Sequence, residues 1–386
     1  MKKTWQLKTL GEVVVIDKSQ GIHKNLPYVG LEQIESNTGR FVGSTDPVHV
    51  KSATFKFSPE HVLYGRLRPY LNKVMLPDFT GHCSTEIFPL KPNPGLSREF
   101  LQYWLLRDAT VKQINATSTG ARMPRANMSA VLEFEFPLPP PTDQQRTVGI
   151  LDDALGGIAT AKANAEKNLQ NARAIFESYL QSIFTHHGKG WVETTIGRSI
   201  KFIDYRGKTP TKTESGLRLI TAKNVKMGYL QKTPMEFVAP SSYNKWMTRG
   251  IPQLGDVLFT TEAPLANVAQ LDTDEKVVFA QRIIIMQPDA SILDSTFLKY
   301  LLLSQPVQQR IHVKGTGATV KGIKASLLKT VEISFPKTLH EQEDIVARLD
   351  ALRAEVEHLG NIYERKLSAL EALKKSLLYS AFSGQF

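Results

Sequence analysis

The sequence Trp5-Gln-Leu-Lys-Thr-Leu-Gly11 returns 186 residues later as Trp191-Val-Glu-Thr-Thr-Ile-Gly197. Further pairs follow in the same order and at nearly the same separation: His61-Val-Leu-Tyr with Asp256-Val-Leu-Phe, Phe100-Leu-Gln-Tyr with Phe297-Leu-Lys-Tyr, Thr119-Gly-Ala with Thr316-Gly-Ala, and Ser182-Ile-Phe with Ser380-Ala-Phe. A similarity that recurs at one long period indicates an internal duplication. We therefore predict two copies of one structural plan.

Each copy begins with a mixed α/β part. Short β-type runs alternate there with glycine and proline, as in Glu12-Val-Val-Val-Ile16, Lys73-Val-Met-Leu76 and Arg282-Ile-Ile-Ile-Met286. A helix is predicted from Phe100 to Leu106 with Ser97 as its N-cap, and its counterpart from about Thr296 to Leu303. The run Pro139-Pro140-Pro141 then ends the α/β part of the first copy, because proline disfavours a helix interior or a central strand.

Each copy continues into a long helix with an apolar seam. Apolar residues recur there at steps of three and four, which predicts a coiled coil rather than an ordinary surface helix. The first seam comprises Leu151, Leu155, Ile158, Ala165, Leu169, Ala172, Phe176, Tyr179 and Ile183. The second comprises Ile345, Leu349, Leu352, Val356, Leu359, Tyr363, Leu370, Leu373 and Leu377.

The two seams most simply pair with each other. The first helix leads from one α/β part to the other and the second leads back, so the pair is predicted to be antiparallel, with a length of roughly 60 Å. The predicted architecture is therefore mixed α/β: two tandem α/β domains, residues 1–141 and 188–338, and two helical spacers, residues 142–187 and 339–386, related by a pseudo-twofold axis.

The net charge of +11 lies in the α/β parts. Residues 1–140 carry +5 and residues 191–337 carry +8, whereas residues 141–190 are neutral and residues 338–386 carry −2. This distribution favours a polyanionic partner that contacts the α/β parts. Two basic units on a rigid spacer suit a duplex whose two read segments lie about 34–36 Å apart, so we predict a bipartite DNA target with an unread gap.

Composition and motif searches favour a binding protein over an enzyme. The single cysteine, Cys83, excludes a cysteine-rich metal site, and the chain has neither a signal-peptide core nor a long apolar run, so a cytoplasmic protein with no membrane contact is expected. Gly315 to Gly322 has the wrong spacing for a dinucleotide loop, and Phe202 stands where a phosphate-binding loop ending at Thr209 needs glycine. Neither a catalytic nor a metal site is predicted.

The collinear repeat, the two seams and the motif Asp204-Tyr-Arg-Gly-Lys-Thr-Pro210 together resemble the specificity subunit of type I DNA restriction-modification enzymes. This resemblance spans the whole chain. It implies that each α/β part is a target recognition domain for one half of a bipartite site, and that the helices set the gap. Apolar residues outside the seams could then pack on partner helices or, equally, on the flanking α/β parts; they are Ile175, Leu180, Ile362, Leu367 and Leu378.

The resemblance also implies the partners. Two modification subunits would bind S-adenosylmethionine and methylate a flipped adenine, and two restriction subunits would use ATP and Mg²⁺ to translocate and cleave DNA. This chain would carry no cofactor and catalyse neither reaction. Two alternatives remain open from the residues: a coiled-coil scaffold that binds RNA or another polyanion, and a methyltransferase or nuclease with an unrecognised site.

The candidate DNA contacts are chosen from loops that carry closely spaced cations. Base edges are read mainly by Arg, Asn and Gln, while phosphates are held by Lys, Arg and backbone amides. In the first α/β part the candidates are Arg66, Arg68, Tyr70, Arg122 and Arg125. In the second they are Tyr205, Arg206, Lys208, Lys212, Lys314, Lys321 and Lys324. Thr261-Glu262 replaces the Arg-Leu-Arg segment of the first copy, which is consistent with a different half-site.

Overall fold

Two compact units divide the chain. The computed structural model describes residues 5–185, 190–205, 210–317 and 320–385. Unit 1 comprises Met1–Lys167 and Tyr363–Phe386, and unit 2 comprises Asn168–Ile362. Each unit therefore contains one α/β part together with one end of each long helix.

The first half of the chain contains ten strands and five α-helices among the residues described up to Thr185. The strands are β1 (Gln6–Thr9), β2 (Val14–Ile16), β3 (Gln20–Gly21), β4 (Tyr28–Val29), β5 (Thr54–Phe57), β6 (Val62–Gly65), β7 (Val74–Met75), β8 (Gly81–Cys83), β9 (Ile87–Pro92) and β10 (Glu135–Leu138). The helices are α1 (Leu10–Val13), α2 (Arg98–Leu106), α3 (Asp108–Ala116), α4 (Met128–Leu132) and α5 (Pro141–Thr185).

The second half has the same number of strands among its described residues and one additional α-helix. The strands are β11 (Trp191–Thr195), β12 (Ile200–Asp204), β13 (Lys212–Thr213), β14 (Leu217–Ile220), β15 (Glu236–Val238), β16 (Val257–Thr261), β17 (Leu265–Gln270), β18 (Val278–Phe279), β19 (Ile283–Pro288) and β20 (Glu332–Pro336). The helices are α6 (Ile196–Ser199), α7 (Tyr243–Trp246), α8 (Ser295–Leu303), α9 (Gln305–Lys314), α10 (Ala325–Leu328) and α11 (Leu339–Ser383). The additional helix is α7, between β15 and β16.

The sheets show which part of the plan is duplicated. A four-stranded antiparallel sheet has the order β2-β9-β6-β7 in unit 1 and β12-β19-β16-β17 in unit 2. A strand pair, β1 with β10 and β11 with β20, also recurs. The remaining sheet differs, because its order is β3-β5-β8-β4 in unit 1 and β13-β15-β14-β18 in unit 2. The strand order is thus the same in both units for the first sheet and for the strand pair that precedes each long helix, and it differs in the second sheet.

Helices α2 and α8 confirm the two helices predicted near Phe100–Leu106 and Thr296–Leu303. Ser97 caps α2 by accepting a hydrogen bond from Phe100 N at 3.1 Å, and Asp294 caps α8 in the same way through Phe297 N at 2.7 Å. One predicted strand was partly wrong. Leu10–Val13 is helical and the strand begins only at Val14, because Leu10 and Val13 are both buried and Glu12 closes a capping box with Thr9.

The long helices α5 and α11 each contain 45 residues. Helix α5 begins at the last proline of the triple-proline run, a position where the missing N–H costs nothing. Most predicted seam residues are buried or half-buried. Leu373 is an error in that prediction, since its side chain is 48% exposed. Lys374 turns inward instead, because its ammonium donates to the carbonyl of Asn37 at 2.6 Å.

The two helices pair antiparallel within each unit. In unit 1, Leu151 of α5 shares the core with Phe382 of α11, and Lys162, further along α5, interacts electrostatically with Lys374, earlier in α11. In unit 2, Leu180 shares the core with Leu349. There Leu169 lies against Gly360, where a Cβ atom would be 3.7 Å from the leucine Cδ1.

The apolar residues outside the seams divide into two groups. Leu180 and Leu378 are buried in the cores of units 2 and 1, so they pack on the α/β parts rather than on a partner. Ile175 and Ile362 are exposed, and Leu367 is half-buried. Only the exposed pair remains a candidate for contact with another chain.

Candidate functional site

Three segments of unit 1 meet beside the end of strand β6. The backbone N–H of Arg66 donates to the carbonyl of Glu86 at 2.9 Å, and Ala126 N donates to Arg66 O at 2.9 Å. Thr119 and Arg125 exchange two further backbone hydrogen bonds, at 3.0 and 3.1 Å. We call this arrangement junction 1. It brings together the two arginine-bearing loops that the sequence predicted as DNA contacts.

The side chains of junction 1 form a cluster around one carboxylate. Arg66 Nε lies 3.0 Å from Glu86 Oε2, and Arg125 donates to Glu86 Oε1 through Nε at 2.8 Å and Nη2 at 2.7 Å. The Arg66 guanidinium also stacks on Phe88, with 4.9 Å from its Cζ to the ring centroid, and the Lys18 ammonium lies 5.4 Å from the same centroid. Two arginines therefore share one carboxylate, which leaves junction 1 positive.

Glu86 is ionised in this setting. Burial by itself would raise the pKa of Glu86, but hydrogen bonding to Arg125 and the charges of Arg66 and Arg125 together hold it below its ordinary value. The same contact raises the pKa of Arg125. A charge-assisted pair of this kind fixes the direction of a guanidinium plane more firmly than a neutral hydrogen bond would. In junction 1, Glu86 thus holds the guanidinium groups of Arg66 and Arg125 in fixed orientations.

The other candidates of unit 1 flank junction 1. Arg68 follows it in the left-handed region at φ 51°, and its backbone N–H donates to Pro124 O at 2.7 Å. Tyr70 is 51% exposed, and Arg122 is exposed in the loop between Thr119 and Arg125. The side chains of Arg68 and Arg122 make no ion pair with the residues that the structure describes. They are available to an external anion.

Unit 2 contains the same junction with different side chains. Thr261 N donates to Arg282 O at 2.9 Å, Ile323 N donates to Thr261 O at 2.9 Å, and Thr316 and Gly322 exchange backbone hydrogen bonds at 2.8 and 2.9 Å. We call this arrangement junction 2. By these bonds Thr261 occupies the place of Arg66, Arg282 that of Glu86 and Gly322 that of Arg125.

Junction 2 holds an ion pair of reversed polarity. Arg282 Nε lies 2.8 Å from Glu262 Oε1. A recess of about 310 Å³ opens beside the pair and includes Gln281 and Lys324 in its wall. Lys321 and Lys324 are exposed at this edge of unit 2. Sequence reasoning missed Arg282, although its alignment with Glu86 in the repeat was the available signal.

The remaining candidates of unit 2 lie elsewhere. Lys212 pairs with Glu236 at 2.9 Å, and Lys314 donates to Thr330 Oγ1 at 2.9 Å. Tyr205 is only 4% exposed and its hydroxyl donates to the carbonyl of Gly250, so it packs inside unit 2; burial raises its pKa. Arg206 and Lys208 lie outside the described residues.

Among the described residues, no group of three or more His, Cys, Asp or Glu side chains is placed to hold a metal ion. None of the helices in that part of the chain combines the length and apolar character needed to cross a membrane. The site that the repeat builds twice is a surface of arginine, glutamate and lysine rather than an enclosed catalytic cavity.

The duplicated plan has a direct counterpart among known proteins. The family model of the type I restriction modification DNA specificity domain matches residues 2–169 and again residues 228–365. The chain belongs to this family. Each match takes in one junction and part of one long helix, so the family likeness covers both copies of the repeat.

Curated members of the family are distant relatives. The chain is 27% identical to the type I restriction enzyme EcoDI specificity subunit of Escherichia coli over 175 residues, which cover 45% of this chain and 38% of that subunit. It is 22% identical over 300 residues to the MjaVIII specificity subunit of Methanocaldococcus jannaschii, covering 70% and 67% of the two chains. The chain thus spans less than half of the EcoDI subunit that it matches.

Solved structures share the fold over the full length. One is a chain from work on complex assembly and conformational transition of the type I R-M system, with a TM-score of 0.84, 22% identity, and coverage of 99% of this chain and 98% of that one. The crystal structure of the HsdS subunit from Thermoanaerobacter tengcongensis has a TM-score of 0.63, 21% identity, and coverage of 100% and 98%. The fold of this chain therefore occurs in solved structures over nearly the full length of both chains.

Proposed function

We propose that the chain is the DNA-recognition subunit of a type I restriction-modification enzyme and reads a bipartite duplex sequence. The observation that carries the proposal is the repetition of one backbone junction in both units with different charged side chains. A duplicated scaffold with exchanged side chains is what two different half-sites require. Residues 1–141 and 188–338 are proposed as the reading domains, and residues 142–187 and 339–386 as the spacer that sets the gap.

The two kinds of basic residue have different proposed roles. Arg66 and Arg125, held by Glu86, suit contact with base edges, because a fixed guanidinium can form two parallel hydrogen bonds to guanine. Arg68, Arg122, Lys321 and Lys324 suit phosphate contact, since they are exposed and make no ion pair with the described residues. Lys212 and Lys314 are weaker candidates, because each already has a partner inside unit 2.

The chemical steps are assigned to partner chains. In this proposal two modification subunits bind S-adenosylmethionine and methylate adenine, and two restriction subunits use ATP and Mg²⁺, all in the cytoplasm. The present chain binds DNA and these partners but transfers no methyl group and cleaves no bond. Ile175 and Ile362 on the long helices are the apolar residues that we assign to partner contact, because they are exposed within the described helices.

Domain exchange tests the proposal. Residues 191–337 are replaced by the equivalent segment of another specificity subunit, the chain is expressed with its modification subunit, and the methylated sequences of the host are read genome-wide. We expect one half of the methylated motif to change while the other half and the gap are retained. A change in both halves, or a host without a gapped methylated motif when the unaltered chain is expressed, would contradict the proposal.

A further inference from the structure

The order of arginine and glutamate along the chain is reversed between the two junctions, and Glu262 lies one residue beyond Thr261, the counterpart of Arg66. In junction 1 the arginine is at the residue after strand β6 and the glutamate precedes strand β9. In junction 2 the arginine, Arg282, precedes strand β19, and Glu262 follows strand β16. Both pairs join residues 20 positions apart in their segment of the chain. Each copy of the scaffold thus holds an arginine paired with a glutamate, but the arginine follows strand β6 in junction 1 and precedes strand β19 in junction 2.

Both pairs leave the same part of the arginine open. Glu86 engages Arg66 through Nε, and Glu262 engages Arg282 through Nε. The two Nη groups of each arginine make no hydrogen bond to the residues that the structure describes. The side chains of Arg66 and Arg282 remain 32% and 46% exposed. Because guanidinium is planar, a carboxylate at Nε leaves the two Nη groups as donors for a further acceptor.

Junction 2 has room for a base edge beside its arginine. Gly322 stands at the backbone position that Arg125 occupies in junction 1. A Cβ atom at Gly322 would lie 3.2 Å from Glu262 Cβ and 3.3 Å from Thr261 O, so a larger residue would crowd the glutamate. Gly322, Arg282 and Glu262 all line the recess of about 310 Å³, and Gly322 has no side chain to fill it.

We propose that Arg282 is the base-contacting arginine of unit 2, in the role that Arg66 has in unit 1 but from the neighbouring strand, and that Glu262 and Glu86 are positioning residues for these two arginines. The inference rests on the proposed function, because it names the residues that perform recognition at the same surface. The bound group is the acceptor edge of guanine in the major groove, which offers O6 and N7 to a guanidinium fork. Glu262 also offsets the local positive charge, so Arg282 discriminates among bases more than it attracts phosphate.

Selection from a randomised duplex library tests the inference. The full chain is prepared with its modification subunits, and bound duplexes are sequenced for the unaltered chain and for Arg282→Lys. Lysine keeps the charge but loses the planar fork. We expect the preference at one base pair of one half-site to fall by roughly five- to a hundredfold, the range of a lost bidentate contact, while the other half-site is selected unchanged. Continued selection of the other half-site would show that the variant is folded and binds DNA.

A second variant isolates the positioning role. Glu262→Gln keeps the size of the side chain and removes its charge, and we expect a smaller loss of preference at the same base pair. The slope of binding against salt should stay the same for Arg282→Lys, since the number of cations is unchanged. Arg348→Lys on helix α11 is the matched control, because Arg348 is exposed and its Nε donates to the carbonyl of Asp344.

The possible results separate the inference from the proposed function. If Arg282→Lys leaves every position of both half-sites unchanged, or weakens both half-sites equally, the assignment of Arg282 is wrong. If Glu262→Gln leaves the selected base pair unchanged, its positioning role is wrong. If the unaltered complex selects no gapped sequence, the proposed function itself fails.

Discussion

The side chain of Gln342 accepts a hydrogen bond from the backbone N–H of Asp294 at 2.8 Å, which ties the first turn of helix α11 to the start of helix α8. The amide nitrogen of Gln342 also donates to Ile292 O at 2.9 Å and to Pro336 O at 2.8 Å. Gln144 repeats all three bonds in unit 1. Its partners there are Ser97 N, Gly95 O and Pro139 O, at 2.8, 2.7 and 2.9 Å.

These buried glutamines should stabilise the attachment of each long helix to its α/β part. Replacing Gln144 with Leu leaves three backbone groups of unit 1 without partners, and each buried unpaired group costs about 1–3 kcal/mol. We expect the free energy of unfolding of unit 1 to fall by at least about 2 kcal/mol, measured by urea titration. Gln145→Leu is the control, since Gln145 is exposed. Equal stability of the two variants would show that the attachment does not depend on these bonds.

Lys321 and Lys324 should contribute to DNA affinity without affecting sequence preference. Neutralising one phosphate contact lowers the slope of log affinity against log salt by about 1. We expect Lys324→Gln to weaken binding of all duplexes to a similar degree and to reduce the salt slope by about that amount. Lys112→Gln is the control, because Lys112 already pairs with Asp108 on helix α3 at 3.2 Å. A changed base preference for Lys324→Gln would argue against a phosphate role.

His82 should make unit 1 less stable in mild acid. The imidazole is fully buried between Thr54 Oγ1 at 2.8 Å and Val48 O at 3.0 Å, and burial lowers its pKa, with a further contribution from the nearby His23 ring. A group with a lowered pKa in the folded state stabilises the fold above its ordinary pKa of about 6.5, and this stability is lost as pH falls toward the lower value.

The measurement compares unfolding free energies at about pH 7.5 and pH 5.5, on either side of the ordinary histidine pKa. We expect the stability of unit 1 to fall over this interval, and we expect His82→Gln to reduce the fall even if that variant is less stable at both values. His340→Gln serves as the reference, since the His340 side chain is 86% exposed. An identical pH dependence in His82→Gln and the unaltered chain would contradict the assignment.

The long helices should set the gap by their length. Inserting seven residues after Lys167 and seven after Ile362 preserves the helical face and lengthens each helix by about 10 Å, which is roughly three base pairs of duplex. We expect the methylated motif to keep both half-sites and to gain about three unread base pairs. Matched insertions in the loop before β5, at Lys51, should leave the gap as it was. An unaltered gap in the helix variant would exclude the spacer role.

Much of the architecture could be predicted because its signals are local or repeated. The triple proline marked the end of the first α/β part, Ser97 marked the start of α2, and collinear pairs revealed the duplication and with it α8. The predicted seam was wrong at one residue near its end, Leu373. Leu373 and Lys374 fit the periodic pattern about equally well by position, and the inward turn of Lys374 depends on the carbonyl of Asn37, which is 337 residues away in the chain.

The amino-acid sequence by itself determined the two-copy plan, the long paired helices and the placement of the charge in the α/β parts, because each of these depends on periodicity or composition. Only the tertiary structure decided which charges can contact a ligand. Arg282 has its partner 20 residues away, and Tyr205 and Gly250 are 45 residues apart, so neither pairing leaves a local signal. Folding brought Glu262 to Arg282 and buried Tyr205, since hydrogen bonds between distant segments depend on strand register rather than on neighbouring residues.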